Sequence, residues 1–421
     1  MKIKVSIPRI LILLNTIIFV FLGCYINRLD IVTVVYMSVL FLATAIYAVK
    51  YKKSRKMYVW FLLYAFLIIL WQVKGIKIYS SIIYIFLLLL EIHFYYTMYL
   101  CNKNNYIYSI KCMVFCMSIM GVYGIIEGIT KSNFLFVKMF RNQYIINYNN
   151  MFLYQYNAVG SMEESLIFGS ILTFAAVLTL YIRNIKIRYI IYTLFGFAIF
   201  FTNKRSGMLF WIVSLLTYMI LDAIYITKKK KFSIKILKIF LIILTIFCVV
   251  MFIKVGDVSI LDLVIESFNG IFGENSRSFI QRYGAFKASI EYIFCENSLF
   301  GFLFGNGISA LVNNFVIDNK VFTDLGFYVV DNQYLTTWYD YGFVLLILFA
   351  YVLIILIYKN MKIMKARNIE FIERRKSIIN LLSLFLVVIF SFILDVFTWY
   401  QCIYMIGFLI SINMYHIDVN S

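Results

Sequence analysis

Long apolar runs separated by short polar clusters organise this chain from end to end. A hydrocarbon layer about 30 Å thick requires about 20 apolar residues per helix, so runs of that order predict transmembrane helices. Twelve runs meet this description, the seventh being short: residues 10–27, 31–49, 57–73, 78–100, 112–129, 158–181, 189–202, 207–226, 236–253, 334–358, 377–394 and 399–415. The pattern predicts an all-α polytopic membrane protein with about twelve transmembrane helices.

The composition excludes a soluble globular domain. Hydrophobic residues make up 63% of the chain and charged residues only 14%, which is more apolar surface than a soluble fold could bury. The net charge of +19 would suit a nucleic-acid partner if the basic residues formed one patch. They lie instead in short clusters between the apolar runs, as beside membrane spans, so no nucleic acid is expected.

The basic clusters also predict the orientation in the membrane. With the N-terminus in the cytoplasm and alternating spans, the inner segments hold 26 of the 39 Lys and Arg residues. This excess follows the positive-inside rule and places both termini in the cytoplasm. The charged start of the chain lacks a small-residue cleavage site, so we interpret it as an uncleaved first helix.

Three regions follow from this topology. Residues 1–253 hold helices one to nine with an outer loop near 130–157, residues 254–333 form a large extracytoplasmic loop, and residues 334–421 hold the last three helices. Acidic residues outnumber basic ones in the large loop. Its segment SRSFIQRYGAFKASIEYIF repeats apolar residues at three- and four-residue steps, which predicts an amphipathic helix on the outer membrane face.

Motifs for nucleotide, metal or disulfide chemistry are missing from the sequence. There is no Walker A motif, no glycine-rich dinucleotide fingerprint and no HExxH, and only two His residues occur. The seven Cys residues are scattered without a CxxC pair. We therefore expect neither a metal site nor a cofactor, and the candidates for chemistry are polar residues at the outer ends of helices.

A basic pair, Lys204 and Arg205 in TNKRSGML, lies at the outer turn between the seventh and eighth spans. Such a pair is common in loops, where the side chains extend towards the water. Alternatively, Arg205 faces a cavity and binds a phosphate through its two-pronged guanidinium.

An Asp-Asn pair, Asp331 and Asn332, precedes the tenth span. Either residue could be a plain helix cap. Alternatively, a carboxylate beside apolar residues at a membrane surface has a raised proton affinity and could act as a general base. The nearby aromatic residues, Tyr334 among them, suit an interfacial belt or a wall on which sugars stack.

Two adjacent acids, Glu163 and Glu164, open the sixth span, where they would favour a helix N-terminus. Inside the membrane, Glu91 with His93 could relay protons or simply be satisfied within the bundle.

The order of these pieces resembles the O-antigen ligase and Wzy-type polysaccharide polymerase superfamily. The resemblance covers roughly residues 158–350. It rests on the segment Gly160–Gly169, the Arg205–Gly207 turn, Arg277 and Arg282 in the large loop, the stretch NSLFGFLFGNG, and Asp331 and Asn332 followed by Tyr341 and Gly342.

The resemblance implies a GT-C-like helical bundle in the bacterial cytoplasmic membrane. It also implies metal-independent transfer of a glycan from undecaprenyl diphosphate to a sugar hydroxyl, with lipid-linked oligosaccharide as donor and acceptor. A chain-length-regulating co-polymerase is a possible partner in such systems.

The resemblance also suggests residue roles. Arg205 and Arg277 would bind the diphosphate, with Arg282 as a substitute for Arg277 and Lys204 alongside, and Asp331 would accept the acceptor proton. Glu163 and Asn332 would position the acceptor, and Tyr334 would contribute to substrate binding.

Two other functions remain open from the sequence. Ligases of this superfamily usually carry His where this chain has Asp331, which favours a repeat-unit polymerase over a ligase joining finished glycan to another acceptor. A flippase or transporter of lipid-linked oligosaccharide is the third possibility, and it predicts charged residues along a passage through the bilayer.

Overall fold

The computed structural model describes most of the chain as a bundle of helices. The described residues are 6–26, 31–51, 78–139, 156–227, 254–255, 258–259, 277–295, 297–307, 310–318, 330–366, 368–394 and 396–420. In chain order the α-helices are α1 (Ile7–Ile26), α2 (Ile31–Ala48), α3 (Ile78–Cys101), α4 (Asn104–Thr130), α5 (Ser165–Thr179), α6 (Ile185–Phe201), α7 (Arg205–Asp222), α8 (Arg277–Phe294), α9 (Leu299–Phe304), α10 (Ala310–Asp318), α11 (Gln333–Thr336), α12 (Phe343–Lys365), α13 (Phe371–Ile393) and α14 (Tyr400–Asn420).

Short non-α elements complete the secondary structure of the described residues. Two of them are π-helical turns, Ala223–Thr227 after α7 and Thr337–Tyr341 after α11. Two 3-10 turns lie at Val137–Met139 and Val396–Thr398. One antiparallel pair joins the two-residue strands β1 (Lys254–Val255) and β2 (Val258–Ser259).

The architecture is that of an all-α multi-pass membrane protein, as predicted. Seven of the described helices are long and apolar enough to cross a membrane: α1, α2, α4, α7, α12, α13 and α14. Shorter apolar helices occur at Phe86–Cys101 and Ser165–Thr179. The predicted spans 57–73 and 236–253 lie outside the described residues, so the total of twelve stays a prediction.

Several predicted helix starts are displaced. The fifth and eleventh spans were expected from 112 and 377 but begin earlier, at Asn104 and Phe371. The sixth and tenth begin later than expected, and glycine conformation contributes to both of these differences. The sixth span was expected at 158–181, but its helix is Ser165–Thr179, after a turn containing positive φ angles at Gly160 (57°) and Glu163 (68°). The tenth was expected at 334–358, yet the chain breaks at Gly342, whose φ is 91°. That backbone conformation cannot continue a helix, so α12 starts at Phe343.

Helix α5 lies at the centre of the main core. All of its residues except Leu166 are buried. It packs against α4, α6, α7, α13 and α14, so five helices surround it. Gly169 and Gly207 bring α5 and α7 into close contact, because a Cβ at Gly207 would lie 3.6 Å from the carbonyl oxygen of Gly169. Small residues at such crossings are typical of helices packed within membranes.

A buried polar cluster ties α1, α2 and α3 together on one side of the bundle. The fully buried Glu91 carboxylate accepts a hydrogen bond of 2.8 Å from Asn15 Nδ2 and another from the Tyr36 hydroxyl. Tyr400 on α14 donates its hydroxyl hydrogen to the Tyr36 oxygen at 2.8 Å. The hydrogen bonds of the Glu91 carboxylate are thus satisfied within the bundle. This agrees with the second of the two interpretations of Glu91, that of a structural acid inside the membrane.

A second, smaller core forms outside the main bundle. The predicted amphipathic helix is present as α8, which confirms its helical conformation. Its buried residues Ala285, Tyr292 and Ile293 join a cluster completed by residues of α10, α11 and the turns around them: Leu311, Val330, Leu335 and Tyr339. This cluster fixes α8 near the segment that carries Asp331.

Candidate functional site

Four helix ends meet at one end of the bundle, where α4 and α6 finish and α5 and α7 begin. The segment 156–164 leads into α5 across this end, and the backbone N–H of Ala158 donates to the carbonyl oxygen of Phe201 at 2.9 Å. Glu163 and Glu164 close this segment, while Lys204 and Arg205 follow α6. The acidic and basic motifs of the sequence therefore lie at the same end.

Glu127, in the last turn of α4, holds the 156–164 segment in place. The side chain is fully buried, and its oxygens accept hydrogen bonds from the backbone N–H groups of Val159 (3.1 Å) and Gly160 (2.8 Å). The Tyr156 hydroxyl donates at 2.7 Å and Asn133 Nδ2 at 3.1 Å. Four donors on one buried carboxylate satisfy its oxygens and fix the loop.

Asn133 extends this anchor on both sides. Its amide nitrogen also donates to the carbonyl oxygen of Gly160 at 2.7 Å, and its amide oxygen accepts from the Tyr123 hydroxyl at 3.0 Å. A Cβ at Gly160 would lie 2.9 Å from ring carbons of Phe168. Together with its φ of 57°, this contact explains why glycine occupies the turn before the acidic pair.

The carboxyl group of Glu164 has a strongly shifted pKa at this end of the bundle. It is partly buried directly before α5, and burial raises the pKa of its carboxyl to about 7. The nearby charge of Lys204 lowers that pKa, whereas the charges of Asp331 and Glu163 raise it. Four predicted polar residues from three separate segments are therefore electrostatic neighbours.

Lys204 stands at the start of α7, beside α5. Its side chain is partly buried, and a Cβ added at Gly169 would lie 3.8 Å from the Lys204 Cβ. The Thr173 hydroxyl donates to the Gly169 carbonyl oxygen at 2.8 Å. The close crossing of α5 and α7 thus sets the distance between the basic turn and the acidic pair.

Asp331 and Asn332 lie in the extended segment before α11, and both are partly buried. Asn332 is a helix cap, since its side-chain oxygen accepts from the backbone N–H groups of Tyr334 (3.0 Å) and Leu335 (3.2 Å). The capping interpretation is therefore correct for Asn332. Asp331 is instead the member of the pair whose charge acts on Glu164.

Tyr334 packs against α13. Its hydroxyl donates to the carbonyl oxygen of Val388 at 2.9 Å, and its ring centroid lies 4.4 Å from that of Phe392. This hydroxyl is engaged with backbone, which gives Tyr334 a role in holding α11 to α13. Its predicted part in substrate binding stays a prediction.

The three predicted arginines are placed through their backbones. Arg205 begins α7, Arg277 begins α8, and Arg282 lies in the second turn of α8. Their side chains fall outside the described part of the structure. Their grouping around a diphosphate therefore stays a prediction.

Two glycine motifs of the sequence pack directly against each other. Gly305 and Gly342 have φ angles of 85° and 91°, and a Cβ on Gly305 would lie 2.3 Å from the carbonyl oxygen of Asp340. A Cβ on Gly342 would lie 2.4 Å from the carbonyl oxygen of Leu303. The stretch NSLFGFLFGNG therefore needs glycine at Gly305, because the backbone there contacts the π-helical turn. This stretch and Gly342 belong to the same series of motifs in the sequence, and the structure brings them into contact.

Asp340 is a buried acid with a structural role in this contact. Its carboxylate accepts from the backbone N–H of Leu311 at 3.0 Å, and its carbonyl oxygen accepts from Gly307 at 3.1 Å. The buried cluster around α8 and the Asp331 segment are thereby joined into one unit. The opposite side of α8 presents Tyr283 and Phe286, which are 59% and 51% exposed. This exposed apolar stripe suits the predicted position on a membrane surface.

The sequence interpretation missed Glu127 and Asn133. An acid between two glycine-containing turns at the end of an apolar run, GIIEGIT, was the available signal, since an intramembrane acid needs partners. Among the described residues, no group of three or more His, Cys, Asp or Glu side chains could hold a metal ion.

Comparison with known proteins adds one match. The family model described as O-antigen ligase matches residues 190–350. That segment contains most of the predicted site residues, and Glu163 precedes it. No curated protein matches the sequence. The family match supports the resemblance to the O-antigen ligase and polymerase superfamily, and with it a role in polysaccharide biosynthesis for this multi-pass membrane protein.

Proposed function

We propose that the protein is a glycosyltransferase that polymerises lipid-linked oligosaccharide repeat units. It transfers the growing glycan from undecaprenyl diphosphate to a sugar hydroxyl of the next repeat at the outer face of the cytoplasmic membrane. The observation that carries this proposal is the meeting of Glu163, Glu164, Lys204 and Asp331 at one end of the bundle. The family match over residues 190–350 supports the same class of reaction.

The reaction places two demands on the site. The bond between the donor sugar and the diphosphate breaks, so negative charge on the leaving group must be stabilised. Arg205 and Arg277 are assigned to that charge, with Lys204 beside them and Arg282 as the substitute for Arg277. A bidentate guanidinium suits diphosphate oxygens. No metal ion is part of the proposed step.

The acceptor hydroxyl must also lose its proton as the new glycosidic bond forms. Asp331 is assigned as the base that takes this proton. Glu164 supports the assignment, because two neighbouring carboxyl groups do not ionise equally and the raised pKa of Glu164 lets it hold a proton while Asp331 is charged. Asn332 and Glu163 are assigned to positioning the acceptor, through the turn that precedes each helix.

The orientation follows from the distribution of basic residues. The end that carries the carboxylates belongs to the outer face, and both termini belong to the cytoplasm. The assigned carboxylates and Lys204 lie together at one end, which suits a reaction at one leaflet; a transport route would need polar groups that continue across the midplane. A co-polymerase that sets chain length is the proposed protein partner.

Transfer of finished glycan to a different acceptor is the second candidate, because the matching family model is described as O-antigen ligase. Both reactions use the same donor chemistry and differ in the acceptor. Asp331, in place of the usual His, is the feature that favours polymerisation.

Cells that lack the gene and carry plasmid-borne variants test the proposal. Asp331→Ala and Arg205→Ala should reach the membrane at wild-type level while lipid-linked single repeats accumulate and polymer falls by at least about a hundredfold. Asp222→Ala, which removes an acid from the opposite end of α7, is the matched control and should retain polymer.

The glycan that accumulates separates the candidate reactions. Long lipid-linked chains in the deletion strain would identify a ligase, and wild-type polymer from both Asp331→Ala and Arg205→Ala would refute the assigned site. Purified protein that moves labelled glycolipid across a liposome membrane without forming a glycosidic bond would identify a transporter instead.

A further inference from the structure

A large cavity lies at the end of the bundle opposite the carboxylates. Its volume is about 1120 Å³, and residues of α1, α4, α6 and α13 line it together with the 180–184 turn. Helix α4 begins at this cavity and carries Glu127 in its last turn, while α5 begins directly after Glu164 and ends directly before the turn at Leu180. The two features are therefore separated by the length of the bundle and cannot be one site.

Basic residues dominate the charged lining. Arg9, Lys111, Arg183, Arg375 and Lys376 line the cavity, and no Asp or Glu does. Lys376 is paired with Glu373 at 2.5 Å, which offsets its charge. Within the described residues, no acidic partner lies within ion-pair distance of the other four. The cavity therefore attracts an anion.

Two of the arginines have buried N–H groups that lack an acceptor within the described structure. These are Nε of Arg9 and both Nε and Nη2 of Arg375. The guanidinium groups lie over the rings of Tyr108 and Tyr218, at 5.4 and 5.6 Å respectively. A ring face attracts the cation but accepts no strong hydrogen bond, so these donors suit phosphate oxygens.

Helix termini add positive potential to the same end. Helices α4 and α13 begin with the lining residues Asn104 and Phe371, and α6 begins beside Asn184. The Asn184 side chain caps α6 by accepting from the N–H groups of Lys186 and Ile187. The N-termini of helices carry partial positive charge, so the backbone favours an anion where the basic side chains do.

Most of the remaining lining is apolar, and it extends into the membrane. Along α4 it reaches from Asn104 to Ser118, a distance of about 20 Å at the rise of an α-helix. Half of a hydrocarbon layer is about 15 Å, so the cavity passes from the head-group level into the acyl-chain region. Isoleucine, valine and phenylalanine side chains form this wall: Ile107, Val114, Phe115, Ile191 and Ile379.

We propose that this cavity is a binding site for an anionic phospholipid of the leaflet at this end of the bundle, its phosphate beside Arg9, Lys111, Arg183 and Arg375 and its acyl chains along the apolar wall. A free phosphate would leave that wall uncovered. A zwitterionic lipid would leave the positive charge unbalanced. Basic pockets between membrane helices bind anionic lipid head groups by this combination of charge and apolar surface.

Native mass spectrometry of the delipidated full-length protein tests the site. Phosphatidylglycerol and phosphatidylcholine with identical acyl chains are titrated, and we expect tighter retention of phosphatidylglycerol. Each basic side chain near an anionic lipid contributes about a fivefold change in affinity, so Lys111→Gln/Arg183→Gln should weaken phosphatidylglycerol binding by about twenty-fivefold. Both residues are exposed, so this variant should fold.

Lys362→Gln/Lys365→Gln is the matched control. It removes two charges from the last turn of α12, outside the cavity lining, and should keep wild-type affinity for phosphatidylglycerol. Equal losses in both double variants, or equal retention of the two lipids by the wild type, would overturn the proposal. Competition by millimolar inorganic phosphate that matches competition by phosphatidylglycerol would also overturn it. The result is independent of the glycosyltransferase proposal, because no step of the assay involves glycan.

Discussion

The Glu127 carboxylate accepts a hydrogen bond of 2.8 Å from the backbone N–H of Gly160. This contact joins the end of α4 to the turn that carries the acidic pair. Glu127 therefore has a structural role, since it holds the turn before α5. The position of Glu163 and Glu164 thus depends on a residue outside the matched segment 190–350.

Glu127→Gln should destabilise the protein. The replacement places an amide among four hydrogen-bond donors, so at least one buried N–H loses its acceptor at a cost of about 1–3 kcal/mol. Thermal unfolding in detergent should show a lower midpoint. Tyr156→Phe is the control, because it removes only one of the four bonds and should cost about 1 kcal/mol. Equal stability of Glu127→Gln and wild type would contradict this role.

The stability of the wild type should fall between pH 5 and pH 8 because of Glu164. Its pKa is about 7 in the folded protein and 4.5 ordinarily, so the folded state keeps a proton that the unfolded state loses as pH rises. The advantage is present below pH 4.5 and is lost as pH rises through 7. Glu164→Gln should therefore gain about 2–3 kcal/mol over wild type by pH 8.

Unfolding midpoints of both proteins at intervals of one pH unit provide the measurement. A stability difference between Glu164→Gln and wild type that stays constant with pH would exclude a raised pKa at Glu164.

Neighbouring charges should move the titration of Glu164 in opposite directions. Lys204→Gln removes a charge that lowers this pKa, so it should raise the midpoint, whereas Asp331→Asn should lower it. Difference infrared spectroscopy detects the protonated carboxyl band, with Glu164→Gln subtracted to assign it. Shifts of the same sign in both variants would show that the charges are not arranged as described.

Gly342→Ala should disrupt the packing between α9 and the π-helical turn. Its φ is 91°, and the added Cβ would lie 2.4 Å from the Leu303 carbonyl oxygen, so the expected loss is more than about 3 kcal/mol. Gly121→Ala is the control, since the nearest atom would lie 3.4 Å away in a helix and the change should be neutral or slightly stabilising. Thermal unfolding of both variants distinguishes a local steric effect from a general intolerance to alanine.

The sequence predicted the helices well where one signal dominated. Apolar length identified the spans now seen as α1, α2 and α14, and three- and four-residue spacing identified α8. It misplaced the starts of α5 and α12 because Gly160 and Gly342 act through backbone φ angles, which leave no mark on hydrophobic periodicity.

The candidate site was predictable only in part. Adjacent charges such as Glu163 and Glu164 are visible in one stretch of sequence, and the motif order placed Lys204 and Asp331 on the same side. The Glu127 anchor depends on contacts between α4 and a distant turn, which only tertiary packing creates. For Asn332, two interpretations were open from the sequence, and the cap geometry favours the simpler one.

The central helix α5 is shorter than the layer it is expected to cross. Its 15 residues extend about 22 Å, against a hydrocarbon thickness of about 30 Å. Irregular backbone before and after it must cover the difference, which protein surroundings allow. In the proposed reaction, a lipid-borne diphosphate would therefore enter sideways from the bilayer, while a sugar hydroxyl would arrive from the water.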